Sequence, residues 1–148
     1  MVHYFSILRV FFTACIVVGV SSVAAAETVR LLLSSDFEGR NTVWEVPSEQ
    51  LRGWPKWDPA KEPSLSVSAA VEKAFQALQP GEKRADWQLN SISLQQPIGE
   101  EARKVYGPLF FYYVSLNRKS DTWSVSESLV ALNGDVIPSR KEKMKAVQ

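Results

Sequence analysis

The chain has 148 residues, with 17 Lys or Arg, 16 Asp or Glu, one histidine, one cysteine and a formal net charge of +1. This balance gives no general electrostatic drive toward nucleic acid or an anionic membrane, and the length suits one domain around one ordinary core. A single cysteine also excludes a disulfide scaffold, so the fold must rest on packing.

Residues 1–26 read as a secretory signal. His3 and Arg9 precede an apolar run through Phe11, Phe12 and Ile16 to Val20, which is short for a membrane span. Ala24-Ala25-Ala26 before Glu27 supplies the small residues that a signal peptidase needs. Cleavage after Ala26 removes His3 and Cys15, leaving a neutral chain with neither thiol nor imidazole. Cys15 is not a good lipidation site, because Phe12-Thr13-Ala14 precedes it and Ile16-Val17-Val18 follows it inside the apolar run. An uncleaved N-terminal anchor would still hold the domain outside the cytoplasm. The expected location is therefore periplasmic or secreted, with no stable membrane insertion after cleavage.

Thr28 to Leu33 is β-capable, Ser34-Ser35-Asp36 breaks it, and Thr42 to Val46 is a second extended piece. Pro47, Gly53, Pro55, Pro59 and Pro63 then predict an irregular segment. Leu51, Trp54 and Trp57 make it too apolar for a free linker, so a strap packed on the domain is expected. Its indole rings bury well, but their N–H groups need partners.

The most secure element is a helix starting at Ser66, with Leu65 covering its apolar entrance. Ala70, Val71, Ala74, Phe75 and Leu78 recur on one stripe, and Pro80-Gly81 stops the run. The two alanines allow a close approach to a sheet.

Beyond the helix the period becomes two. Trp87 to Leu94 reads as a strand, although Trp87 and Leu89 are out of phase with Ile92 and Leu94. Either a bulge near Asn90-Ser91 shifts the register, or both faces are covered in part. Pro97-Ile98-Gly99 marks a turn, and Glu100 to Val105 suits a short helical turn or an extended approach. Leu109 to Leu116 is the strongest strand. Its set Phe110, Tyr112, Val114 and Leu116 is expected to face the core, leaving Phe111 and Tyr113 under the strap or in a shallow exposed groove. A polar turn leads to a strand from Trp123 to Leu132, where Glu127 interrupts the apolar side. Asn133-Gly134 makes a tight turn, Asp135-Val136-Ile137 resumes the extended run, and Arg140 to Lys145 reads as a frayed basic tail.

The expected fold class is α+β: one principal helix packed on a small antiparallel β-sheet, with an N-terminal Trp/Pro-rich strap. The expected division is a signal peptide at 1–26, an N-terminal strand and strap at 27–64, an α+β core at 65–138 and a polar tail at 139–148.

On the helix Leu65-Ser66-Val67-Ser68-Ala69-Ala70-Val71-Glu72-Lys73-Ala74 and the closing phrase Val130-Ala131-Leu132-Asn133-Gly134-Asp135-Val136-Ile137, the chain resembles the PepSY group of small extracytoplasmic domains. The resemblance covers Leu65 to Ile137 and leaves the Trp-rich segment outside. It implies a helix followed by antiparallel strands, and an inhibitory, chaperone-like, sensory or binding role without catalysis. A cystatin-like or other cone-shaped α+β domain fits the same pattern.

Without Cys or His, the cleaved chain lacks the parts of a Ser-His-Asp triad, a Cys-His pair or a thiolate–imidazole zinc site. Phosphate-loop and dinucleotide fingerprints do not occur. Asp36/Glu38 and Glu100/Glu101 are the closest carboxylate pairs, with nothing to split their pKa values. Asp58, Glu62 and Asp86 lack calcium-loop spacing and read as surface charges. No catalytic residue, metal site or cofactor is expected.

Five tryptophans in a small neutral domain remain to be explained. One reading puts most of the aromatic rings in the core. The other makes Trp54, Trp57, Phe111 and Tyr113 one continuous surface for a protein, peptide or small ligand. A noncatalytic binding domain is thus the expected function. The competitors are a structural accessory subunit of an envelope complex and, further off, a carboxylate-dependent enzyme.

Overall fold

The computed structural model describes residues 27–35, 40–98 and 100–143. The signal segment, Cys15, the Asp36/Glu38 pair, Gly99 and residues 144–148 lie outside the described residues. The architecture is α+β, with two antiparallel sheets and one principal helix.

The first sheet joins β1 (Thr28–Ser35), β2 (Arg40–Pro47) and β7 (Ser139–Lys143) in the order β1-β2-β7. The second has the order β3-β4-β5-β6, from β3 (Trp87–Gln95), β4 (Phe111–Arg118), β5 (Asp121–Ala131) and β6 (Val136–Ile137). Short helices α1 (Ser48–Arg52) and α3 (Glu100–Tyr106) lie in connections, and α2 (Val67–Gln76) is the long one. Pro138 separates β6 from β7, so the chain changes sheets at a residue that cannot donate to a ladder.

The α2 helix forms for the reasons its sequence gives. Ser66 accepts from the Ala69 N–H at 3.2 Å, and Ala70 and Ala74 are fully buried against the second sheet. Trp87, Tyr112, Val114, Leu116, Val130 and Leu132 complete this helix-side core. Regular helix ends at Gln76, and Gly81 takes the left-handed conformation at φ +93° after Pro80.

The phase problem in β3 is resolved by a bulge. Register shifts between Leu89 and Ser91. Trp87 and Leu89 consequently stand opposite Arg118 and Leu116, while Ile92 and Leu94 stand opposite Val114 and Tyr112. All four partners are even-numbered positions of β4, so one extra residue brings all four apolar side chains to the helix side.

Two expectations are corrected. Residues 139–143 are not a frayed tail: they form β7, with Ser139 opposite Trp44 and Arg140 opposite Val43. The alternating charges there serve the outer face of the first sheet. The Glu45 carboxylate accepts from Arg140 Nη2 at 2.9 Å and Arg30 Nε at 3.3 Å, and Glu142 pairs with Arg140. Partial burial would raise the Glu45 carboxyl, but hydrogen bonds and charge from Arg140 and Arg30 outweigh it and hold it below the usual range.

The other correction concerns β4, which has no uncovered face. Phe111 is 0% exposed, inside a second core made with Leu31, Trp44, Val46, Leu51, Trp54, Leu109, Leu129, Ala131 and Ile137. The first sheet, not a strap alone, covers that side. The molecule is therefore helix, sheet and sheet in three layers, and β4 lies in the middle one.

The alanine contact is a sharp test of the packing. Ala70→Leu adds volume where α2 meets the sheet and should destabilise by about 1–3 kcal/mol. Urea or thermal melts should show a clear loss of stability, whereas Glu72→Gln on the exposed side of α2 should change little.

Candidate functional site

The four aromatic residues singled out above are divided between the two cores. Trp54 is 4% exposed and lies with Phe111 between the sheets. Trp57, half-buried, is on the helix side, where its ring meets Phe110 edge-on at 4.8 Å and its indole N–H donates to the Lys61 carbonyl at 2.7 Å. Tyr113 is half-buried against Trp44, with ring centroids 6.3 Å apart and planes at 86°. The four rings form no common surface, because the sheet that carries Phe111 and Tyr113 separates Trp57 from Trp54.

The indole donors are satisfied unequally. Trp87 donates to Glu82 at 3.0 Å, and the same carboxylate takes two bonds from Arg118 Nη2 at 2.6 and 2.7 Å. The Trp54 N–H is buried with no partner among the described residues, a cost of about 1–3 kcal/mol that its apolar contacts must offset.

A polar cluster interrupts the seam between the sheets. The Tyr113 hydroxyl donates to Glu127, and Ser34 Oγ donates to the same carboxylate oxygen at 3.3 Å. This explains how Glu127 is accommodated on an apolar side: it accepts hydroxyl hydrogens from both neighbouring sheets. Burial pushes the Tyr113 hydroxyl far above its ordinary value, and the bond and charge of Glu127 add to the rise against an opposing bond from Ser34. Tyr113 therefore stays protonated at neutral pH and acts as a donor, not as a base.

Another surface is better placed for recognition. The β4–β5 turn is tied by Asp121, whose Oδ1 accepts the Trp123 backbone N–H at 3.1 Å and whose Oδ2 accepts Ser124 Oγ at 2.7 Å. These two bonds lead the causes that lower the Asp121 carboxyl; slight desolvation opposes them and the charge of Arg118 assists them. The tied turn presents Trp123 with 82% of its surface open, and Val125, two residues on, has 49% open. Strand register then sets Asn117 beside Val125 and Gln88 beside Asn117. The Asn117 Oδ1 is a buried acceptor with no partner among the described residues. A branched apolar side chain and two carboxamides thus make a row across three strands, and Trp123 stands two residues from its end, where the β4–β5 register shifts.

Among the described residues, no group of three or more His, Cys, Asp or Glu is arranged to hold a metal ion. The chemistry of the row is contact and hydrogen bonding. Its one sequence signal was the alternation Trp123–Val125 next to a polar turn; Glu127, two residues further on, obscured it by making that side look mixed.

Comparison with protein-family models, curated proteins and solved structures returns no match.

The raised Tyr113 value predicts a pH dependence. Stability from the neutral hydroxyl is fully present below the unfolded-state value of 10.0 and is lost as pH rises toward the folded-state value. Melting temperatures should fall above pH 10 in the native chain. Tyr113→Phe should be less stable at neutral pH but show a shallower alkaline fall, measured by circular dichroism across the range.

Proposed function

We propose that this chain is a noncatalytic domain, exported to the periplasm or outside the cell, that binds a protein or peptide partner through the face centred on Trp123. The observation that carries the reading is the 82% exposure of an indole on a turn tied by two Asp121 hydrogen bonds. The other tryptophans are buried or half-buried. An exposed apolar residue of this size on a backbone tied in this way provides a large contact area with few rotamers to order. Val125 extends the apolar centre, while Gln88 offers an exposed amide for a polypeptide backbone.

Export is supported by Ala24-Ala25-Ala26 and by the position of the first strand. Glu27 directly follows the expected cleavage point, and its carbonyl accepts the Ser48 N–H at 2.8 Å before β1 begins at Thr28. Cleavage after Ala26 would leave every described strand intact. No helix among the described residues is long and apolar enough to cross a membrane.

The noncatalytic part of the reading rests on chemistry. His3 and Cys15 both precede Ala26, so after cleavage only carboxylates, amines and hydroxyls remain for acid–base work. The PepSY resemblance over Leu65 to Ile137 points to the same class of role, and the succession of α2 and antiparallel β3 to β6 suits it.

Two measurements test the proposal. Mass spectrometry of the exported protein should find Glu27 as its first residue; an intact N-terminal segment in the cytosol would refute export. In parallel, immobilised native chain and Trp123→Ser should be exposed to the same envelope extract. A specific partner should be retained by the native chain and reduced about tenfold or more by the variant, as for a central aromatic contact. Equal retention with equal melting temperature would remove Trp123 from the binding face.

A further inference from the structure

The sheets have four lateral edges, and they are not equally protected. The β7 edge carries four successive charged residues, Arg140 to Lys143. The β6 edge is two residues long and ends at Pro138. On β1, the Leu31 carbonyl takes a hydrogen bond from Ile98 N–H at 3.1 Å. These are recognised ways of preventing strand addition. Among the described residues β3 pairs only with β4, and its nine residues include no charge and no proline. Its sole protection is the bulge, which disturbs Leu89 to Ser91 and leaves Ser91 to Gln95 in regular register.

That regular run is self-complementary. In an antiparallel pairing with its own copy about a two-fold axis at Ser93, Ile92 falls opposite Leu94 of the second copy, and Leu94 opposite Ile92. Ser91 falls opposite Gln95, and Ser93 opposite itself. Side-chain alternation keeps the Ile–Leu pairs on the helix side and the polar pairs on the other. Gln95 Nε2 donates to Ser93 Oγ at 3.0 Å, which places these two on one face as the pairing requires. Ile92 and Leu94 are only partly buried at the rim of the helix-side core, because α2 lies over β4 and β5 more than over β3. A second copy would cover the remaining apolar surface without opposing charges.

We propose that two copies of this chain associate through β3, Ser91 to Gln95, and join their four-stranded sheets into a continuous sheet of eight. The contact uses none of the residues of the Trp123 face, which reaches β3 only at Gln88. Five residues from each copy make a small interface, so association is weak and depends on concentration.

Ser93 is exposed and sits on the proposed axis, so it supports two variants that leave the core alone. Opposed Cβ atoms in such a pair lie about 4.5–5.5 Å apart. In the cleaved chain Ser93→Cys would introduce the sole thiol. Mild oxidation should convert it to a covalent dimer at least ten times faster than Asp58→Cys, an exposed control. Sedimentation of the native exported chain from micromolar to millimolar concentration should show the mass rising toward two copies. Ser93→Lys, which sets two ammonium groups face to face, should weaken that association at least tenfold with an unchanged melting temperature. A constant one-copy mass would overturn the proposal, as would equal cross-linking rates or a dimer indifferent to Ser93→Lys.

Discussion

Burial of β4 on both faces is the constraint on which this structure depends. Phe111 enters the core between the sheets, while Tyr112 and Val114 enter the core beneath α2. A strand with alternate residues in two separate cores cannot slip by one position without exchanging the contents of both. The register of β3 and β5 follows from it, and the β3 bulge is the local adjustment that lets Trp87 and Leu94 share a face.

The middle position of β4 also determines how the polar residues are used. Glu127 stands opposite Ser115 on β5 and points into the seam, where an unpaired carboxylate would be costly. Tyr113 from its own sheet and Ser34 from the other both donate to it. The seam is therefore not a uniform apolar joint: one hydrogen-bonded cluster specifies how the sheets meet. On the opposite side of the first sheet, Arg30, Glu45, Arg140 and Glu142 link β1, β2 and β7 through charge. These exposed pairs contribute little individually, but they give the last strand a defined neighbour.

With most aromatic area taken up by two cores, little of it is left on the surface. Trp123 is displayed beyond the part of β5 that packs against the first sheet, on a turn held by Asp121. The β3 edge offers backbone groups and neutral side chains instead of a ring. The two surfaces differ in chemistry, and so do the partners proposed for them: a foreign chain at the exposed indole and a second copy at the self-complementary edge.

Local features of this chain were legible in its sequence. Ser66 as a cap, the alanine stripe of α2 and the Asn133-Gly134 turn all depend on neighbours within a few residues, whereas the phase break in β3 left a bulge and two partly covered faces both open until the pairing with β4 was known. The antiparallel α+β class follows from the same short-range periodicities. What only the tertiary structure decided is the existence of the second layer. Thr28–Ser35 and Arg40–Pro47 are neighbours in the chain, but Ser139–Lys143 lies at its far end, and no local pattern could declare that it completes their sheet. Because that sheet covers one face of β4, Trp54 and Phe111 became core, and Trp123, unremarkable in the sequence, became the exposed ring. Burial is decided by what packs across a strand, and a residue's own neighbours do not carry that information.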